Sequence, residues 1–152
     1  MKIERVIFLD IDGVLATDES QRIRKKFWFD DKTSPFDQRC VRVFNTILKL
    51  TDSEIVLTSS WRLFNDLAEI GKIFDFNRVL KKPVAITSEL GDRDLEIETF
   101  IKENEIGRFL ILDDLQINCF PDNFIRTQAS TGLNKTHIEK AYKILMSDEL
   151  ID

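Results

Sequence analysis

Two continuous apolar runs, each closed by acids, constrain this chain most. "RVIFLDID" covers residues 5–12 and "RFLILDD" covers residues 108–114. A strand with water on one face alternates apolar and polar residues. A strand buried on both faces does not, and these runs read as buried strands. "EIVLTSS", residues 54–60, is a third run, ending in hydroxyls rather than acids. "PVAIT" at 83–87 and "NFIRT" at 123–127 are shorter strand candidates.

Helical patterns fall between the strands. "SPFDQRCVRVFNTILKL" places Val41, Phe44 and Leu48 on one face. Ser34 suits its N-cap, Pro35 its first position, and Asp37 a capping box. "WRLFNDLAEIG" reads as a short helix with Leu63, Leu67 and Ile70 on one side and Gly71 as its stop. "DRDLEIETFIKENEIG" packs Ile97, Phe100 and Ile101, with Gly107 beyond its end. "LNKTHIEKAYKILM" closes the series with Ile138, Ala141, Tyr142 and Leu145 on its face. Strand–helix alternation with unbroken apolar strands predicts a three-layer α/β fold, a parallel sheet with helices on both faces. The 152 residues fit one domain, 1–152, whose core needs no disulfide or metal staple.

In such folds the site lies beyond the carboxyl ends of the strands. The first strand delivers Asp10 and Asp12, the second Thr58, Ser59 and Ser60, and the fourth Asp113 and Asp114. If the first strand stays extended, Asp10 and Asp12 share a face and Ile11 takes the other. Carboxylates gathered in a small volume cannot all ionise without compensation. Some protonate, or a divalent cation sits among them. An all-oxygen donor set without His or Cys suits Mg²⁺, which commonly shares a substrate phosphate. A neighbouring hydroxyl can donate to phosphate, and a carboxylate can attack phosphorus to give an aspartyl-phosphate. The chemistry therefore points to phosphoryl transfer.

These strand ends resemble the haloacid dehalogenase (HAD) superfamily of phosphohydrolases. "FLDIDGVL" is similar to its first motif, "IVLTSS" to its second and "LILDD" to its fourth, in that order and over essentially the whole chain. The resemblance implies a Rossmann-like fold and a Mg²⁺-dependent phosphatase. It makes Asp10 the nucleophile and a metal ligand. It makes Asp12 the general acid/base, with its backbone carbonyl on the metal. Asp113 and Asp114 would complete the metal site, and Thr58 or Ser59 would hold the phosphoryl group. The family's basic third motif is usually a Lys. Here Arg93 of "GDRDLEI" stands at a comparable place, with Lys81 and Lys82 as rivals. Arg pairs with phosphate through two parallel N–H donors, so the change is chemically sensible.

The insertion after the first strand runs only from about residue 16 to 33, which resembles the capless subgroup, whose open sites accept large substrates. "TSSWR", "LILDD" and "TGLN" also resemble small HAD domains associated with RNA repair. A nucleotide or a nucleic-acid end is therefore an expected substrate. "QRIRKKFWF", residues 21–29, mixes basic and aromatic residues near the site. It reads as a solvated hairpin packed on the body, or as a flap with Phe27 or Trp28 stacked on a base.

Other classes fit less well. A net charge of −5 excludes a general polyanion binder, so nucleic acid would need a local basic patch. Cys40 and Cys119 lack metal-ligand spacing and read as buried free thiols. The N-terminus has no signal-peptide pattern, and no apolar run reaches the ~20 residues of a membrane span. A cytoplasmic location is expected. With His137 as the sole histidine, a Ser-His-Asp triad is disfavoured. A phosphoaccepting receiver is disfavoured because the middle strand ends in "TSS" without an Asp. A non-catalytic binding module need not keep these acids, and Gly13 falls too early for an EF-hand.

Overall fold

The computed structural model describes residues 1–27 and 35–146. Its five strands are β1 (Lys2–Leu9), β2 (Glu54–Leu57), β3 (Ala85–Ile86), β4 (Glu105–Asp113) and β5 (Phe124–Arg126). All pair in parallel, in the order β3-β2-β1-β4-β5. The strand with the strongest apolar run is central, and Val6, Ile7, Phe8 and Leu9 are completely buried.

Alternation along β1 divides the core. Ile7 and Leu9 join Ile55, Leu57, Leu110 and Leu112 on one face. The helices α2 (Gln38–Thr51), α3 (Leu67–Phe76) and α5 (Ile138–Met146) cover that face through Phe44, Phe74 and Leu145 among others. Val6 and Phe8 face the other way, with Val56 and Ile111. There they meet Ile97, Phe100 and Ile101 of α4 (Arg93–Glu103). Phe8 meets Phe100 and Phe109 edge-to-face, with centroids 5.8 and 5.9 Å apart, a favoured aromatic geometry. The sheet thus carries helices on both faces, as expected of a Rossmann-like α/β fold.

Several local expectations are corrected. α2 is capped by Asp37, whose carboxylate accepts from Arg39 N, so the helix starts after the Ser34–Pro35 pair; Ser34 itself lies outside the described residues. The carboxylate also accepts from Thr17 Oγ1 at 3.0 Å, which ties α2 to the loop after β1. "WRLFNDLAEIG" is not one helix. A 3₁₀ turn covers Ser60–Leu63, and α3 begins afresh after an Asp66–Glu69 capping box. Gly71 lies inside α3 rather than ending it, and Leu63 and Leu67 stay exposed. Gly107 belongs to β4, where a Cβ would collide with the Glu4 carbonyl. It serves close strand approach, not helix termination.

The segment expected as a hairpin or flap is helical. α1 runs Asp18–Phe27, with acids in its first turn and Arg24, Lys25 and Lys26 in its last. That charge order suits the helix dipole. Trp28 and Phe29 lie outside the described residues. Among the described residues the segment between β1 and α2 holds one ten-residue helix, and a chain of 152 residues has no room for a cap domain. Among the described residues no helix is long and apolar enough to cross a membrane.

Candidate active site

Register places the key residues in a row. Leu9 of β1 pairs with Leu57 of β2 and Leu112 of β4, so the next residues, Thr58, Asp10 and Asp113, stand abreast where the strands end. Thr58 N donates to Leu9 O at 2.9 Å and Asp10 N to Leu112 O at 3.0 Å, which holds the row. One carboxylate oxygen from each of Asp10, Asp113 and Asp114 lies within 4.8 Å of the others. Asp10 and Asp113 are buried, at 5% and 0% exposure.

Burial pushes the Asp10 carboxyl well above the usual carboxylate range. Repulsion from Asp113 and Asp114 pushes it further, and the Arg93 guanidinium pulls it back. Burial also raises Asp113, against the pull of Arg93 and of the Leu115 N–H. Arg93 stands at the start of α4, with Nη1 2.5 Å from Asp113 Oδ2 and 3.8 Å from Asp10 Oδ1. Lys81 and Lys82 point elsewhere, to Asp52 and Glu54 and to Asp75 respectively. Of the three basic candidates, only Arg93 enters the acid cluster.

Extension stops at Asp10, which corrects the expectation of a shared Asp10–Asp12 face. The chain bends at Ile11, whose carbonyl accepts from the N–H groups of Val14, Leu15 and Ala16. Ile11 is completely buried in the core. Gly13 follows at φ +83°, where a Cβ would run into the Asp114 carboxylate. Only glycine serves both needs. The Asp12 carboxylate is therefore carried out of the three-acid group. It accepts from Trp61 Nε1 at 3.1 Å on each oxygen and from Gln21 Nε2 at 3.2 Å.

Thr58 and Ser59 separate cleanly. Ser59 Oγ caps the 3₁₀ turn by accepting from Trp61 N. Thr58 Oγ1 is buried without a hydrogen-bond partner, a costly state for a hydroxyl unless something else comes to it. Behind this row lies a network that the sequence does not announce. Glu96 on α4 is 4% exposed and meets Arg62 Nη2 at 2.7 Å. Its carboxylate also accepts from Leu90 N and lies 3.7 Å from Arg93 Nε. Arg62 Nη1 in turn donates to the Thr58 and Ser59 carbonyls. One carboxylate thus steadies both the end of β2 and the arginine facing Asp10. The i, i+3 spacing of Arg93 and Glu96 was the one signal available in the sequence.

The donor chemistry fits a hard cation. Three carboxylates supply oxygen only, and they sit close enough for one ion to bridge them. The orphaned Thr58 hydroxyl beside them fits an incoming anionic oxygen. No curated protein and no solved structure matches the chain. The family described as "HAD domain in Swiss Army Knife RNA repair proteins" matches residues 6–138, which include every residue of this site. With that match and the parallel fold agreeing, the chain belongs to the HAD domains of the Swiss Army Knife RNA repair type.

Proposed function

We propose that this domain is a Mg²⁺-dependent phosphatase that hydrolyses a phosphomonoester through an aspartyl-phosphate on Asp10. One observation carries this reading. A buried aspartate stands in a row with a partnerless threonine hydroxyl and a second buried acid, with an arginine reaching across. Bound among Asp10, Asp113 and Asp114, Mg²⁺ would neutralise charge on the acids and on the phosphoryl oxygens. The Asp12 backbone carbonyl would be a further ligand.

The chain's own residues divide the remaining work. Asp10 presents a carboxylate oxygen to phosphorus. The new Asp10–phosphorus bond forms as the bond to the leaving oxygen breaks. Asp12 gives its proton to that oxygen and then takes one from water. The water oxygen attacks phosphorus, which frees Asp10 and releases inorganic phosphate. Thr58 Oγ1 donates to a phosphoryl oxygen, and Arg93 adds a charged donor from the opposite side. The Trp61 and Gln21 donors hold the Asp12 carboxylate beside the site, where it would meet the leaving group. The family description supports a phosphorylated RNA end as substrate.

The test uses a nitrophenyl phosphate, whose leaving group needs little protonation. In Asp12→Asn the first half-reaction then outlasts the second. A burst of one nitrophenolate per chain followed by a stall is expected, with the phosphoryl group retained on Asp10. A variant with steady turnover at the wild-type rate would overturn the assignment of Asp12.

A further inference from the structure

Beside Asp12 lies a pocket of about 390 Å³, lined by Asp12, Arg24, Ser60, Trp61, Phe64 and Asn65. Its size falls within the ~300–1,000 Å³ of small-ligand sites. Phe64 is 80% exposed, more than any other large hydrophobic among the described residues. Its backbone is nevertheless fixed. Ser59 caps the turn at one end, Phe64 N donates to Trp61 O at 3.3 Å, and Asn65 Nδ2 donates to the same carbonyl at 3.1 Å. Trp61 of the same turn is itself engaged: its N–H donates to Asp12, its ring meets Phe36 edge-on, and the Arg24 guanidinium lies 5.5 Å from its ring centroid. The turn therefore displays one aromatic ring on a rigid base, at the edge of a pocket that contains the proposed acid/base.

We propose that this pocket is a nucleoside subsite, in which the Phe64 ring stacks on the base of the nucleotide that carries the scissile phosphate. The inference rests on the phosphatase reading above and assigns its leaving group. Asp12 protonates the leaving oxygen, so the leaving group lies on the Asp12 side, which is this pocket. Stacking on an aromatic ring needs only the flat face of a base and tolerates any sequence. Charge continues the match. Arg24 lines the pocket, and Lys25 and Lys26 lie exposed in the next positions of α1. These three cations close the last turn of α1, and in a chain of net charge −5 that helix end is a local concentration of positive charge, suited to the backbone phosphates of a strand running on from the pocket. The substrate class is thus a single-stranded nucleic-acid end rather than a sugar phosphate or a phosphopeptide.

The experiment compares end-phosphorylated oligonucleotides with and without a base on the phosphorylated nucleotide, labelled at the 3′ or the 5′ end. Full-length protein with Mg²⁺ should prefer the base-bearing substrate in kcat/KM by about tenfold or more, the scale of one base stacked on an aromatic ring. Phe64→Ala should erase that ratio, and Phe64→Trp should keep it. Equal turnover of the two substrates by the wild type, a ratio unchanged in Phe64→Ala, or better turnover of a phosphopeptide would each overturn the subsite. Binding of the same fluorescent oligonucleotides in EDTA reads the subsite without chemistry. Base-dependent binding without turnover would sink the phosphatase reading and leave the subsite standing. Turnover with no base dependence would do the reverse.

Discussion

At the amino-terminal end of β2, Lys81 reaches Asp52 at 2.8 Å and Glu54 at 3.3 Å, with the two acids 89% and 40% exposed. At the carboxyl-terminal end of the same strand, Arg62 reaches Glu96 at 2.7 Å with both side chains almost fully buried. The shortest contact at each end is nearly the same length, but the consequences differ. Water solvates the first set whether or not it pairs, so it adds little. The second set has left water, and each member depends on its partner. Charges gathered at that end of the sheet cost stability, and what they hold in place is the row of Thr58, Asp10 and Asp113.

The largest expected effect comes from breaking the buried set. Glu96→Ala should destabilise by about 3–5 kcal/mol in urea titration, because it strands Arg62 in the interior. Arg62→Met combined with Glu96→Leu should recover most of that loss while still slowing the enzyme, because the end of β2 and Arg93 lose their brace. Lys81→Met, the surface control, should melt with the wild type. A Glu96→Ala variant as stable as Lys81→Met would remove the distinction between the two ends.

Next in size is the repulsion inside the acid cluster. Asp10→Asn should raise the stability of the metal-free protein by about 1 kcal/mol or more, some 2–4 °C in Tm for a chain of this length. The pH dependence has a definite sign. Asp10 and Asp113 hold their protons more tightly folded than unfolded. Above their ordinary value of 3.8 and up to the raised values, the folded chain binds more protons and stability falls as pH rises. Asp37 behaves oppositely: Arg39 holds its carboxyl low, and its contribution is present above 3.8 and lost on acidification. The advantage of Asp10→Asn over the wild type, measured in EDTA, should therefore widen from pH 4 toward neutrality. A constant difference would contradict the burial account.

A smaller effect concerns Thr58. Thr58→Val removes a hydroxyl that has no partner while keeping the side-chain shape. Stability should hold or rise by up to about 1 kcal/mol. Yet kcat/KM should fall about 10–100-fold, the scale of a hydrogen bond to a charged group. A marked loss of stability would mean that the hydroxyl has a structural partner after all.

The sequence showed the frame clearly, because burial on two faces leaves a direct trace. Val6–Leu9, Ile55–Leu57 and Leu110–Leu112 are apolar without alternation, and each run stops where the sheet meets the site. Parallel register then follows almost automatically, and it explains why Asp10, Thr58 and Asp113 were readable as a group. Single-residue geometry was not readable. The Asp12-Gly13 pair marks a turn, but nothing local announces that the bend begins at Ile11 and carries Asp12 away to Trp61 and Gln21. Nor does local pattern separate an Asp37 cap from a Ser34 cap, since both residue types suit the position. Gly71 looked like a helix stop because glycine often is one, and here the Asp66–Glu69 box restarts the helix just before it. The burial of Glu96 was invisible for a deeper reason. A glutamate on a helix is ordinarily solvated, and only tertiary packing turned this one inward against two arginines.

Whether Asp10 is the nucleophile is read from turnover by Asp10→Asn with Mg²⁺. The expected outcome is a folded variant, at least as stable as the wild type without metal, that has lost phosphomonoester hydrolysis. Hydrolysis retained near the wild-type rate in that folded variant would contradict it.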